Sequence, residues 1–160
     1  MTLNTEILER SFGLIQPQAE SFTAMFYATL FSRHPEVEPL FAHTAMSEQG
    51  KKLFSSLTLV VDSLQKPDAL SAALRSLGTR HIRYGVFPHH YPMVGAALLQ
   101  TFALHLKEAW TLEVQQAWKD AYAAVTQLML EGADYSNEIL HLQDSAIEPM
   151  NVTFHGQPRV

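Results

Sequence analysis

Apolar residues recur along this chain at three- and four-residue steps, in stretches separated by proline or glycine. Phe22, Phe26, Thr29 and Leu30 form one stripe, and Gln49, Leu53, Leu57, Val60 and Leu64 form another; this spacing lays side chains along one face of an α-helix. After Pro67 the stripe Leu70, Leu74, Leu77 and His81 continues the pattern toward Gly85, with Pro88 beyond as a stop. A further helix is predicted from about His89 to Glu108 through Val94, Leu98, Phe102 and His105. Thr111 can cap the last one, whose inner face is Val114, Trp118, Ala121, Tyr122, Val125 and Leu128.

Pro17, Pro35 and Pro67 stand where helices can begin, because the fixed φ of proline suits a first turn and its missing N–H is no loss there. Glu20, Glu36, Glu38 and Asp68 follow them and complement the positive end of a helix dipole. Asn-Gly, Asp-Gly and Gly-Gly hairpin turns are absent. The expectation is an all-α fold of six to seven helices, one of them short and near Pro35 to Leu40. Its domain covers residues 1–135, and residues 136–160 form a polar tail or linker in which the apolar period fades.

Composition narrows the chemistry. The 160 residues are 47% hydrophobic and 17% charged, enough for one packed core. A formal charge of −5 gives no electrostatic reason to bind nucleic acid or anionic lipid. With no cysteine, disulfides, thiolate nucleophiles and sulfur-based zinc sites are excluded. The first ten residues lack the pattern of a secretory signal, and the apolar run Met93 to Leu99 is far short of the ~18–20 residues that cross a bilayer, so a cytoplasmic protein is expected, without membrane partner.

Polar residues on apolar stripes are the candidate functional groups. His81 ends one stripe and Gln49 opens another, which turns both inward. A lone inward histidine is more often an interior polar residue than a metal ligand. One imidazole is nevertheless enough where a macrocycle supplies the remaining ligands, which points to haem, and Phe31, Phe41, Phe54 and Phe102 suit a flat apolar cofactor as well as an ordinary core.

The order of residues supports that alternative. The stretch Thr79-Arg-His-Ile-Arg-Tyr-Gly-Val-Phe-Pro-His-His-Tyr-Pro-Met-Val-Gly-Ala-Ala-Leu-Leu99 resembles the segment around the proximal histidine of bacterial single-domain globins and of the haem domain of flavohaemoglobins. Met25-Phe-Tyr-Ala-Thr-Leu-Phe-Ser-Arg-His-Pro-Glu-Val-Glu-Pro-Leu-Phe41 is similar to that family's second and third helices, Gln49-Gly-Lys-Lys-Leu-Phe54 to its distal helix and Ala117-Trp-Lys-Asp-Ala-Tyr122 to the start of its last.

The resemblance implies a globin fold around a haem pocket and a haem b (iron protoporphyrin IX) whose iron is held by His81. It implies that Phe41 packs on the haem, that Tyr27, Gln49 and Leu53 lie on the distal side, and that Tyr91 lies near the proximal histidine. Arg80, Arg83 and Tyr84 flank His81 within reach of the propionates, and the Leu77 carbonyl is the expected acceptor for the imidazole Nδ1–H. Tyr27 and Gln49 would donate to bound dioxygen. The implied ligands are dioxygen, nitric oxide and carbon monoxide, and the implied activity is reversible oxygen binding with nitric oxide dioxygenation in a monomer or homodimer. The alternative is a gas or redox sensor signalling through residues 136–160. His34, His43, His89, His90, His141 and His155 carry no comparable argument, and His105 is expected at the interior or its edge.

Two departures from the family stand out. Where flavohaemoglobins have a glutamate near the proximal histidine, ungapped counting from Trp118 puts Ala133, with Glu131 and Asp134 as neighbours. A chain of 160 residues also has no room for flavin and nicotinamide domains, so turnover is expected to need an external electron donor.

Overall fold

The computed structural model describes residues 3–133. The expected tail, 136–160, and Asp134 lie outside them. Among the described residues there are six α-helices and no strand: α1 (Thr5–Ile15), α2 (Ala19–Arg33), α3 (Met46–Asp62), α4 (Pro67–Arg83), α5 (His90–Leu106) and α6 (Leu112–Ala133). Short 3-10 turns occupy Gln16–Gln18, Pro35–Phe41 and Lys107–Ala109. The fold is all-α, as the periodicity predicts.

Local signals account for the boundaries. Asn4 caps α1 by accepting from the Ile7 amide at 3.2 Å, and Thr111 caps α6 through the Val114 amide at 3.2 Å. Pro67 opens α4 and Pro35 opens the second 3-10 turn, while Pro17 sits in the turn that precedes α2. α4 stops where Gly85 adopts a φ of 84°, a conformation that costs glycine least. α3 ends at Asp62, two residues before Leu64, the last member of its stripe.

One face of each helix is buried in a shared core. Phe12, Phe22, Phe54, Phe102 and Trp118 stack or meet edge to face, with Phe102 and Trp118 4.2 Å apart between ring centres. The Trp118 indole N–H donates to the Ser11 hydroxyl at 2.9 Å, which in turn donates to the Ile7 carbonyl at 2.6 Å. Leu70, Leu74, Tyr91 and Met129 form a second, smaller cluster under α4.

The helix bearing His81 is fixed to α6 by unusually close backbone contact. A Cβ on Gly78 would lie 1.9 Å from the Met129 carbonyl oxygen, and one on Gly132 would lie 2.0 Å from that of Arg75. Only glycine permits this approach at either position. The Thr79 hydroxyl adds a bond to the Gly132 carbonyl at 2.7 Å.

Candidate functional site

A largely apolar cavity opens between the two clusters. α2 contributes Phe26, Tyr27 and Leu30, the second 3-10 turn Phe41, α3 Leu53 and Leu57, α4 Leu74, Leu77 and His81, α5 Tyr91 and Val94, and α6 Val125 and Met129. Centres of water-sized bodies can occupy about 180 Å³ of it, far above the ~10–15 Å³ that one water needs, so this is a site and not a packing gap.

His81 reaches the wall because it ends the stripe of α4. Its Nδ1 lies 2.8 Å from the Leu77 carbonyl oxygen, which can only accept, so Nδ1 carries the hydrogen and Nε2 keeps its lone pair. Burial lowers the His81 pKa from its ordinary value, the bond to Leu77 opposes this, and Arg80 adds to the lowering. The ring is therefore a neutral imidazole with a basic nitrogen available, the form a metal requires.

Tyr27 and Gln49 are paired. The Gln49 amide Nε2 donates to the Tyr27 hydroxyl oxygen at 3.1 Å. Gln49 is only 1% exposed, yet Tyr27 and not Gln49 forms the cavity wall. Burial pushes the Tyr27 phenol well above its usual pKa, offset in part by Gln49, so it keeps its hydrogen and can give it to a third group. Rings pack around it, with Phe41 at 5.6 Å and Phe31 at 5.9 Å.

The other expected residues divide. Phe41, Leu53 and Tyr91 line the cavity. Arg80 is exposed and off the wall, since a helical step of ~100° separates it from His81. Tyr84 is also off the wall and packs its ring 5.7 Å from that of His81. Glu131 is on the outer face of α6, bound to Arg75 at 2.9 Å, and Ala133 is buried without a polar group to offer.

His90 lines the cavity although the sequence offered no argument for it. Its Nδ1 accepts from the Phe87 amide at 2.9 Å, and burial lowers its pKa to about 4, with His89 adding to the effect and Glu36 opposing it. The signal was present: His90, Val94 and Leu98 are spaced by four on one face.

Comparison with known proteins identifies the fold's relatives. The globin family model matches residues 24–129. The chain belongs to the globin family. A globin-like protein of Aquifex aeolicus is 33% identical over 132 residues, covering 81% of this chain and 93% of that one. The flavohemoprotein of Deinococcus radiodurans is 30% identical over 126 residues, which are 78% of this globin but 31% of the relative. This globin thus spans about a third of the length of the flavohemoproteins it matches. Among solved structures, an engineered carbene transferase built on a candidate nitric oxide dioxygenase of Rhodothermus marinus shares 30% identity with a TM-score of 0.74, covering 86% of this chain and 95% of that one. A hexacoordinated haem protein from a tardigrade, 20% identical with a TM-score of 0.74 over 81% and 92% of the two chains, shares the fold.

The residues present fit a haem. Among the described residues no group of three or more His, Cys, Asp or Glu could hold a metal ion, so an iron beside His81 must bring its own equatorial ligands. The cavity wall is apolar enough for a porphyrin, and the buried hydroxyl of Tyr91 on it has no hydrogen-bond partner. This is a haem globin. No helix among the described residues is long and apolar enough to cross a membrane.

Proposed function

We propose that this globin binds haem b (iron protoporphyrin IX) through His81 and holds dioxygen reversibly, with Tyr27 as the donor to the bound gas and Gln49 as the residue that sets the Tyr27 hydroxyl. The observation that carries this reading is the Gln49-to-Tyr27 hydrogen bond in a cavity that also presents the imidazole of His81. When bound, haem supplies an iron centre that takes dioxygen, nitric oxide and carbon monoxide.

The chain's own contribution follows from the side chains. His81 offers the Nε2 lone pair and is oriented by Leu77. Phe41, Leu53 and Leu57 keep the cavity apolar and exclude water. Because the Tyr27 oxygen already accepts from Gln49, its hydrogen is directed to another acceptor, and a ligand bearing partial negative charge gains most from it.

The same donor serves nitric oxide dioxygenation, in which nitric oxide, dioxygen and one electron give nitrate. The electron must come from a donor outside the globin fold, and Tyr27 would hold dioxygen while nitric oxide enters. Names of the relatives support this extension: candidate nitric oxide dioxygenase for the Rhodothermus marinus protein and flavohemoprotein for the Deinococcus radiodurans one.

An absorption spectrum of the purified protein tests the reading. The expected result is a Soret band that moves on adding carbon monoxide and a five-coordinate ferrous spectrum that His81→Ala abolishes. No Soret band after reconstitution, or an unchanged spectrum in the variant, rejects it. Mixing the dioxygen-loaded protein with nitric oxide in the presence of a reductant tests the extension, since only sustained nitrate formation marks a catalyst.

A further inference from the structure

Resting on the haem reading above, we infer that His90 is a positioning residue for the iron site: its imidazole clasps the loop after α4 and so fixes the last turn of that helix, which presents His81. The crossing with α6 holds α4 at Arg75, Gly78 and Thr79. The turn beyond, with His81, is held from the other side, through the connection to α5.

That connection begins on His81 itself. The His81 carbonyl accepts from the Val86 amide at 3.1 Å and the Ile82 carbonyl from the Gly85 amide at 3.0 Å, with Gly85 at a φ of 84°. This is the double closure that ends a helix on a left-handed glycine, and its longer arm lands on the residue that offers a nitrogen to iron. Val86, the donor, also lines the cavity. The next amide, that of Phe87, donates to His90 Nδ1 at 2.9 Å, while the His90 amide donates back to the Phe87 carbonyl at 3.0 Å. Only Val86 stands between the bond that ties the loop to His81 and the pair that ties it to His90.

The far end of the clasp is anchored. His90 is the first residue of α5 and is buried on the cavity wall. The carbonyl of Tyr91, the next residue, accepts from the Tyr122 hydroxyl at 2.7 Å, which ties the start of α5 to α6. Position is thus handed from α6 through α5 to the loop, and from the loop to His81.

The clasp works in one protonation state. A backbone N–H can only donate, so Nδ1 is the bare nitrogen and Nε2 carries the hydrogen. A proton added at Nδ1 would set two donors against each other and open the clasp. The groups facing the ring are His89, which precedes α5 and lies 4.1 Å away between ring centres, and Glu36 of the second 3-10 turn, itself 3.8 Å from His34. Burial and His89 oppose the proton, and Glu36 favours it.

The test uses the full-length haem-loaded protein and reads two quantities, the iron–imidazole stretching band of the ferrous, gas-free form by resonance Raman and the rate of haem transfer to an excess of a haem-free acceptor protein. His90→Leu keeps an apolar wall but cannot accept; at pH 7 it is expected to broaden the band, move it to lower frequency and speed haem loss several-fold. His90→Asn, whose amide oxygen can stand where Nδ1 stands, is expected to restore both. From pH 7 to pH 5 haem loss from the parent should accelerate more than from His90→Asn, which has no proton to take up there. A parental band and rate in His90→Leu overturn the inference. So do changes that His90→Asn does not reverse, because the bulk of the ring and not its accepting nitrogen would then matter. Equal acceleration by acid in the parent and in His90→Asn also overturns it, and this comparison decides if His90→Leu does not fold. Absence of a Soret band in the parent overturns the haem reading itself, whereas failure of this inference leaves the band in place.

Discussion

The Gln49 amide donates to the Tyr27 hydroxyl at 3.1 Å, and only Tyr27 of the pair faces the cavity. The two residues therefore act in series. A charge-assisted hydrogen bond contributes on the order of 1.5–3 kcal/mol, so Tyr27→Phe is expected to raise the dioxygen dissociation rate tenfold or more. Gln49→Leu should raise it less, because the phenol remains. Combining both changes should match Tyr27→Phe alone. Displacement of dioxygen by carbon monoxide in a stopped-flow instrument measures all three, and an additive double variant would mean that Gln49 touches the ligand independently.

His90 gives the folded protein a pH dependence with a definite sign. The unfolded chain titrates at the ordinary histidine value of 6.5, whereas burial places the folded group at about 4. Between these values the unfolded state binds the extra proton, so stability is fully present above pH 6.5 and falls as the pH drops toward 4. About 2 kcal/mol is expected to be lost across that window, after discounting for solvent that reaches the ring. Urea midpoints measured from pH 7 to pH 4 should show this slope, and His90→Asn, which keeps an acceptor for the Phe87 amide, should flatten it.

The glycines separate sharply in what they tolerate. Gly78→Ala and Gly132→Ala each force a methyl into a carbonyl of the facing helix, with an expected loss of roughly 1–3 kcal/mol and faster escape of haem. Gly13 has nothing within 4 Å of its missing Cβ and lies within α1, so Gly13→Ala is expected to stabilise by about 0.4–1 kcal/mol. Thermal denaturation of the three variants checks the order.

Ser11 is the acceptor for a buried indole. Ser11→Ala leaves the Trp118 N–H without a partner in the core and should cost about 1–3 kcal/mol. Ser21→Ala, which removes an exposed hydroxyl bonded to the Gln18 carbonyl, is expected to stay within about 0.5 kcal/mol of the parent by urea denaturation.

Much of this was legible in the sequence because it depends on local rules. Pro67, Asp68 and Gly85 bracket α4, Thr111 marks the start of α6, and the three- and four-residue steps from Leu70 to His81 bring the imidazole to the cavity wall. What was not legible depends on elements meeting at a distance. Gln49 shares the inner face of its helix with Leu53, but that Tyr27 stands in front of it follows from how α2 crosses α3. Likewise the spacing of Glu131 does not reveal that Arg75 holds it outside, since the contact joins residues 56 apart in the chain. His90 was overlooked because its stripe was started four residues late, at Val94.

The meeting of Gly78 with Met129 and of Gly132 with Arg75 has a consequence for variation in this chain. Most positions accept some alternative because a side chain can bend aside, but a carbonyl in a helix ladder has nowhere to go. Saturation mutagenesis should therefore find two nearly closed positions at the crossing of α4 and α6, where inheritance is constrained by the absence of an atom.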